Sequence, residues 1–173
     1  EVATFEEAYN FDYYKDLMQD CGYEKETDWV EYNLTVPKEI DPRVNRIADL
    51  VEEKYHLRLA EKKNKKAFIK KYAPGIFKLL DEAYGPLYGV VPYTDKVRQQ
   101  VIDQFNLFIS TDFISLVVDE NDDVICFGFA IPSLSEVINK CEGRLTPTSI
   151  FKVLKAVKHP KYLDLALIAV KPG

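Results

Sequence analysis

Hydrophobic and polar positions change period several times along the chain, and each change marks an element. Residues 113–131, FISLVVDENDDVICFGFAI, hold two apolar runs rich in Ile, Val and Phe on either side of Glu120-Asn121-Asp122-Asp123. Runs of that length suit strands, and short polar side chains that bond their own backbone suit the turn between them. The pattern therefore predicts a hairpin of 113–119 and 124–131. Gly128 lies inside its second strand, where a glycine gives up packing and marks either a bulge or the close approach of another backbone or a ligand.

Taken in order, the rest of the chain alternates helical and extended patterns. Asn10 can cap a helix with Phe11, Tyr14, Leu17, Met18 and Cys21 on one face and Gly22 at its left-handed stop. Residues 28–36 then alternate, Val30, Tyr32, Leu34 and Val36 against Glu31, Asn33 and Thr35, which predicts a half-buried strand closed by Pro37. Asp41-Pro42 is a cap followed by a first-turn proline, opening a helix to about Lys54. Residues 56–60 suit a short strand with Leu57 and Leu59 on one face. Phe68 and Tyr72 begin a helical pattern that Pro74 interrupts, because an interior proline removes a hydrogen bond and crowds the preceding turn. It resumes through Ile76, Leu79, Leu80, Ala83 and Tyr84 until Gly85-Pro86.

Residues 84–93 are aromatic and rich in helix breakers, an ordered loop either lining a cleft or packed on the core. Thr94 can cap the next helix, with Val97, Val101, Phe105 and Phe108 facing inward. Beyond the hairpin, Ser133 and Glu136 have capping-box spacing for a short helix that Gly143 ends. Ser149 can cap another, with Ile150, Val153, Leu154 and Val157 on one face and Pro160 beyond its end, and residues 163–170 read as a final strand.

The 173 residues are 47% hydrophobic and 13% aromatic, enough for a packed core. A net charge of −5 argues against a broad nucleic-acid surface, which needs clustered excess Lys and Arg. Lys62-Lys63 and Lys65-Lys66 sit among acids and read as a solvated loop. Cys21, Cys126 and Cys141 are odd in number and lack C-x-x-C spacing, which fits a reducing compartment better than a disulfide framework or a zinc site. No apolar run has the length of a membrane span and no signal sequence is visible, so a cytoplasmic protein without a membrane partner is expected. The chain begins at Glu1 rather than Met, which suggests a processed product or a fragment.

Few residues offer chemistry. His56 and His159 lack partners at metal-ligand spacing, and there is no G-x-S-x-G, no G-x-x-x-x-G-K-[ST] and no G-x-G-x-x-G. The acids at 119, 120, 122 and 123 lack the spacing of a calcium loop and suit a solvated turn. Neither a catalytic residue nor a metal ligand can be named from the residues alone.

The order of elements says more. From His56 onward it runs strand, two helices, hairpin, helical insertion and strand, which resembles the first part of the GNAT acyltransferase fold. The spacing of GVVP at 89–92, FGFAIPSLSEVI at 127–138, GRLTP at 143–147 and LIAVKPG at 167–173 is similar to that of bacterial GNAT-like proteins, many of unassigned substrate. Residues 13–25 and the strand pattern through Tyr32 resemble the closing helix and last strand of such a domain.

The resemblance implies an α/β protein of α+β type with a mixed sheet, in three parts: the end of one GNAT-like domain at 1–40, a linking helix at 41–55, and the front of a second domain at 56–173. The alternative for the front of the chain is an ordinary α/β extension. The resemblance further implies N-acyl transfer from acetyl-CoA, as co-substrate and without metal, to a small-molecule or peptide amine. The backbone of Ile168, Ala169 and Val170, mid-sheet beside the hairpin, would hold the acyl-CoA arm, and Tyr84, Tyr88 and Tyr93 would line the acceptor side. The sequence stops before the family's pyrophosphate-binding loop, so the domain is expected to be incomplete at its C-terminus and inactive alone. The rival readings are a non-catalytic GNAT-like binding or assembly module, and an α/β interaction domain without CoA chemistry. A sheet edge left open would also allow a homo-oligomer.

Overall fold

The core forms where the period-2 and period-3.6 patterns meet, between one long helix and one face of a sheet. The computed structural model describes residues 10–108, 110–144 and 146–172. Among them are six α-helices and four strands: α1 (Tyr13–Asp20), α2 (Pro42–Tyr55), β1 (Arg58–Leu59), α3 (Lys65–Tyr84), α4 (Asp95–Phe108), β2 (Ile114–Val118), β3 (Val124–Pro132), α5 (Ser135–Lys140), α6 (Pro147–Lys158) and β4 (Leu163–Val170).

The α+β character and the hairpin agree with the sequence patterns. The sheet has the order β1-β2-β3-β4 and is antiparallel throughout, so among the described residues it is not mixed. β4 pairs with β3, as expected, but lies at the rim of the sheet and not in its middle. Ile114, Leu116, Val118, Phe127, Phe129 and Ala169 point to one face and are buried against Phe68, Tyr72, Ala73, Phe77, Leu79 and Leu80 of α3. Each of the larger apolar side chains among them contributes about 1.5–3 kcal/mol on burial.

α3 runs unbroken through Pro74, where an interruption was expected. Buried residues precede and follow the proline on the same helical face, and their packing on the sheet outweighs one lost backbone bond, while Pro74 itself is exposed. Gly75 explains why no larger residue follows it: a Cβ there would lie 2.7 Å from Val124 Cγ2 at the start of β3.

Several caps differ by a few residues from those expected. The first helix begins at Tyr13 behind Asp12, with backbone bonds from Tyr14 to Phe11 and from Lys15 to Asp12, so Asn10 lies too far upstream to cap it. Its end is as expected, Gly22 at φ +82°. His56, assigned to the strand, instead closes α2 in a left-handed conformation. Ser133 does not cap α5: its N–H donates to the Tyr162 carbonyl and prolongs the β3–β4 ladder, and Glu136 pairs with Lys140. Thr146, not Ser149, caps α6. Ser149 is the third helical residue and completes a capping box with Thr146.

Residues 28–36 form no strand. Their alternation is real, but no neighbouring strand pairs with them, and Tyr32 and Val36 are 81% and 86% exposed. Nothing in residues 10–55 is buried. The inward-facing roles expected of Phe105 and Phe108 lie outside the described side chains.

Candidate functional site

The outer rim of β4 is where the expected acyl-CoA residues meet one of the expected acceptor tyrosines. In an antiparallel ladder a residue's N–H and C=O point the same way, and successive residues alternate. The Lys171 N–H donates to the Ile125 carbonyl at 2.8 Å, so Lys171, and Ala169 two residues before it, turn their polar groups toward β3. Ile168 and Val170 turn theirs outward. Ala169 is thus committed to the ladder and its side chain is 4% exposed, whereas the Ile168 side chain is 64% exposed.

Tyr84, the last residue of α3, reaches this rim. Its hydroxyl donates to the Ile168 carbonyl at 2.9 Å and lies 3.3 Å from the Ile168 N–H, which donates to it. Two features shape the rim locally. The β3–β4 register shifts between Phe129 and Ala130, paired with Leu167 and Leu165, so Ala166 is an extra residue in β4 just before the site. Gly128, between Ser115 and Ile168 in the ladder, has no atom within 4 Å of where a Cβ would stand. The register is regular at Gly128. This glycine therefore marks neither the bulge nor a close approach within the chain, and it leaves open space beside Ile168.

The other two tyrosines go elsewhere. Tyr88 donates to the Glu26 carboxylate, which raises the pKa of its phenol, and Tyr93 packs edge-on against Phe77 with ring centroids 5.9 Å apart. Tyr93 also lines a partly open apolar cavity of about 90 Å³ between α3, α4 and the inner face of the sheet, with Phe77, Ile102 and Leu167 among its walls. The three aromatic residues thus serve three places rather than one acceptor pocket.

A polar cluster that sequence reading missed sits at the hairpin tip. Asp122, at φ +66°, pairs with Arg58 of β1 and with Lys71 of α3 at 2.7 Å, and accepts from the Tyr72 hydroxyl at 3.4 Å. Its carboxyl is held below the usual carboxylate range, chiefly by the Lys71 hydrogen bond, and Lys71 is raised in turn. Only the turn character of 120–123 was visible in the sequence, since partners about fifty or more positions away leave no local mark. Asp119 holds the turn from inside, accepting from the N–H groups of Asn121 and Asp123 at 2.9 Å each.

The three cysteines are unpaired, and burial pushes the Cys126 thiol up. Among the described residues no cluster of three or more His, Cys, Asp or Glu side chains could hold a metal ion, and no helix is long and apolar enough to cross a membrane. Comparison with family models, with curated proteins and with solved structures finds no match to this chain.

Proposed function

We propose that this chain is a GNAT-like acyltransferase module in which the outer rim of β4 receives the acyl arm of acetyl-CoA for transfer to an amine. The observation that carries the reading is the outward-facing backbone of Ile168, an N–H and a C=O outside the strand ladder next to a bulge and beside the open space at Gly128. An extended amide-bearing arm pairs with such a rim as an added strand does. An outward N–H at Ile168 or Val170 can polarise a thioester carbonyl and stabilise the negative charge that builds on its oxygen as the amine attacks. The order β1, α3, α4, β2–β3 hairpin, β4 further supports the reading, because it is the order the resemblance implies.

A second reading, binding or assembly without transfer, is favoured by the apolar outer surface at Leu165, Ile168 and Val170, each more than half exposed. Calorimetric titration with acetyl-CoA, followed by thiol-release assays over a broad amine panel, separates the two. Binding with release supports transfer. Binding with no release from any amine selects the non-catalytic module, and absence of binding overturns the acyl-CoA reading altogether.

A further inference from the structure

We infer that Tyr84 is a latch on the outer rim of β4, its hydroxyl holding the N–H and C=O of Ile168 that a ligand must take over in order to bind. The identity of the ligand rests on the acyltransferase reading above; the latch itself rests on the contact. One phenol oxygen offers one donor and two acceptor lone pairs, so it satisfies both backbone groups at once, and here it does, at 2.9 and 3.3 Å. Those two groups are the complement of a secondary amide. The hydroxyl and a ligand amide therefore compete for the same pair, and only one can be in place.

Tyr84 is well situated to yield. It is the last residue of α3, and Gly85, Pro86 and the exposed residues 87–93 follow, with Gly89 at φ +73°. The Tyr84 ring is partly buried against the core and the helix ends at it, so the last turn of α3 is the part that has to give for the phenol to leave the rim. The latch also explains why a rim position with polar groups turned outward is satisfied, since unpaired strand edges otherwise invite pairing with other chains. Because neutral hydrogen bonds have a modest net value, and the second of this pair is long at 3.3 Å, the latch tunes affinity and does not abolish binding.

The test is Tyr84→Phe in the full chain, which keeps the ring and removes the hydroxyl, with Tyr88→Phe as control. Amide hydrogen exchange reads the contact without any ligand. In Tyr84→Phe the Ile168 amide should exchange faster, with Leu167 and Ala169 unchanged and Tyr88→Phe like the parent. Titration with acetyl-CoA reads the competition, and the variant should bind about three- to tenfold tighter than the parent, the equivalent of losing one hydrogen-bonded competitor. An unchanged Ile168 exchange rate would overturn the latch, as would unchanged or weaker acetyl-CoA binding. If neither protein binds acetyl-CoA while Ile168 exchange accelerates, the acyl-CoA reading falls and the latch stands as a cap on the rim.

Discussion

Asp122 joins three parts of the chain that are far apart in sequence: the hairpin turn it belongs to, β1 through Arg58 and α3 through Lys71. A carboxyl whose folded pKa lies below its unfolded value stabilises the fold above the unfolded pKa, and that contribution disappears as pH falls through the folded pKa. The direction of the Asp122 shift therefore places the effect on the acid side, from about pH 5 downward. Replacing Asp122→Asn should lower the melting temperature at neutral pH and flatten its decline toward acid, which a pH series of thermal melts would show; parallel curves for the two proteins would contradict it. Gly75 makes the second residue-scale case. Alanine there gains about 1 kcal/mol of helix propensity, but its methyl must push aside Val124, and overpacking of that kind costs about 1–3 kcal/mol. Gly75→Ala is expected to be net destabilising in urea unfolding, and Val124→Ala in the same chain should recover part of the loss. The sequence shows Pro74-Gly75 as a break in a pattern. That the glycine is a packing requirement follows only from the strand that lies against it.

Local signals at the level of elements located α2, the hairpin and β4 well, and placed helix starts less well. The α6 cap shows why. Thr146, Thr148 and Ser149 are all competent capping residues, and the choice falls to Thr146 because Pro147 takes the first helical position, where its missing N–H costs nothing. Ser149 is still important, since its buried hydroxyl donates to the Arg144 carbonyl at 2.6 Å and accepts from the Thr146 N–H at 2.6 Å. Ser149→Ala is expected to destabilise the protein by about 1–2 kcal/mol, read from chemical denaturation, with Ser149→Thr less damaging. Residues 28–36 teach the opposite lesson. Alternation predicts which side of a strand would be buried, yet a strand exists only where a neighbour supplies hydrogen bonds, and no local pattern names that neighbour. The same reasoning covers the site. Leu163–Val170 was legible as a strand, while the side chain that meets its rim comes from a helix end 84 residues earlier in the chain.

Across the whole molecule, burial divides the chain unevenly. The core draws on residues from Ala60 to Ala169, while residues 10–55 contribute no buried side chain, and Glu26 among them meets Tyr88 at an exposed position. Removal of residues 1–54 is therefore expected to leave the melting temperature of the remainder within about 3 °C of the parent, the size of shift that about 1 kcal/mol produces at this chain length. A large drop would show that the front segment completes the fold. The boundary proposed between 55 and 56 stands or falls with the same measurement.

The strands occupy the sheet in the order in which they occur in the chain. A ribosome delivering this protein from its N-terminus thus never leaves a slot to be filled by a later segment, and the growing margin always belongs to the newest strand. Once β3 has emerged and until β4 follows it, that margin is β3, and one row of its backbone is bare. The nascent chain is at its most adhesive in that interval, which ends when Leu163–Val170 emerges and closes over it.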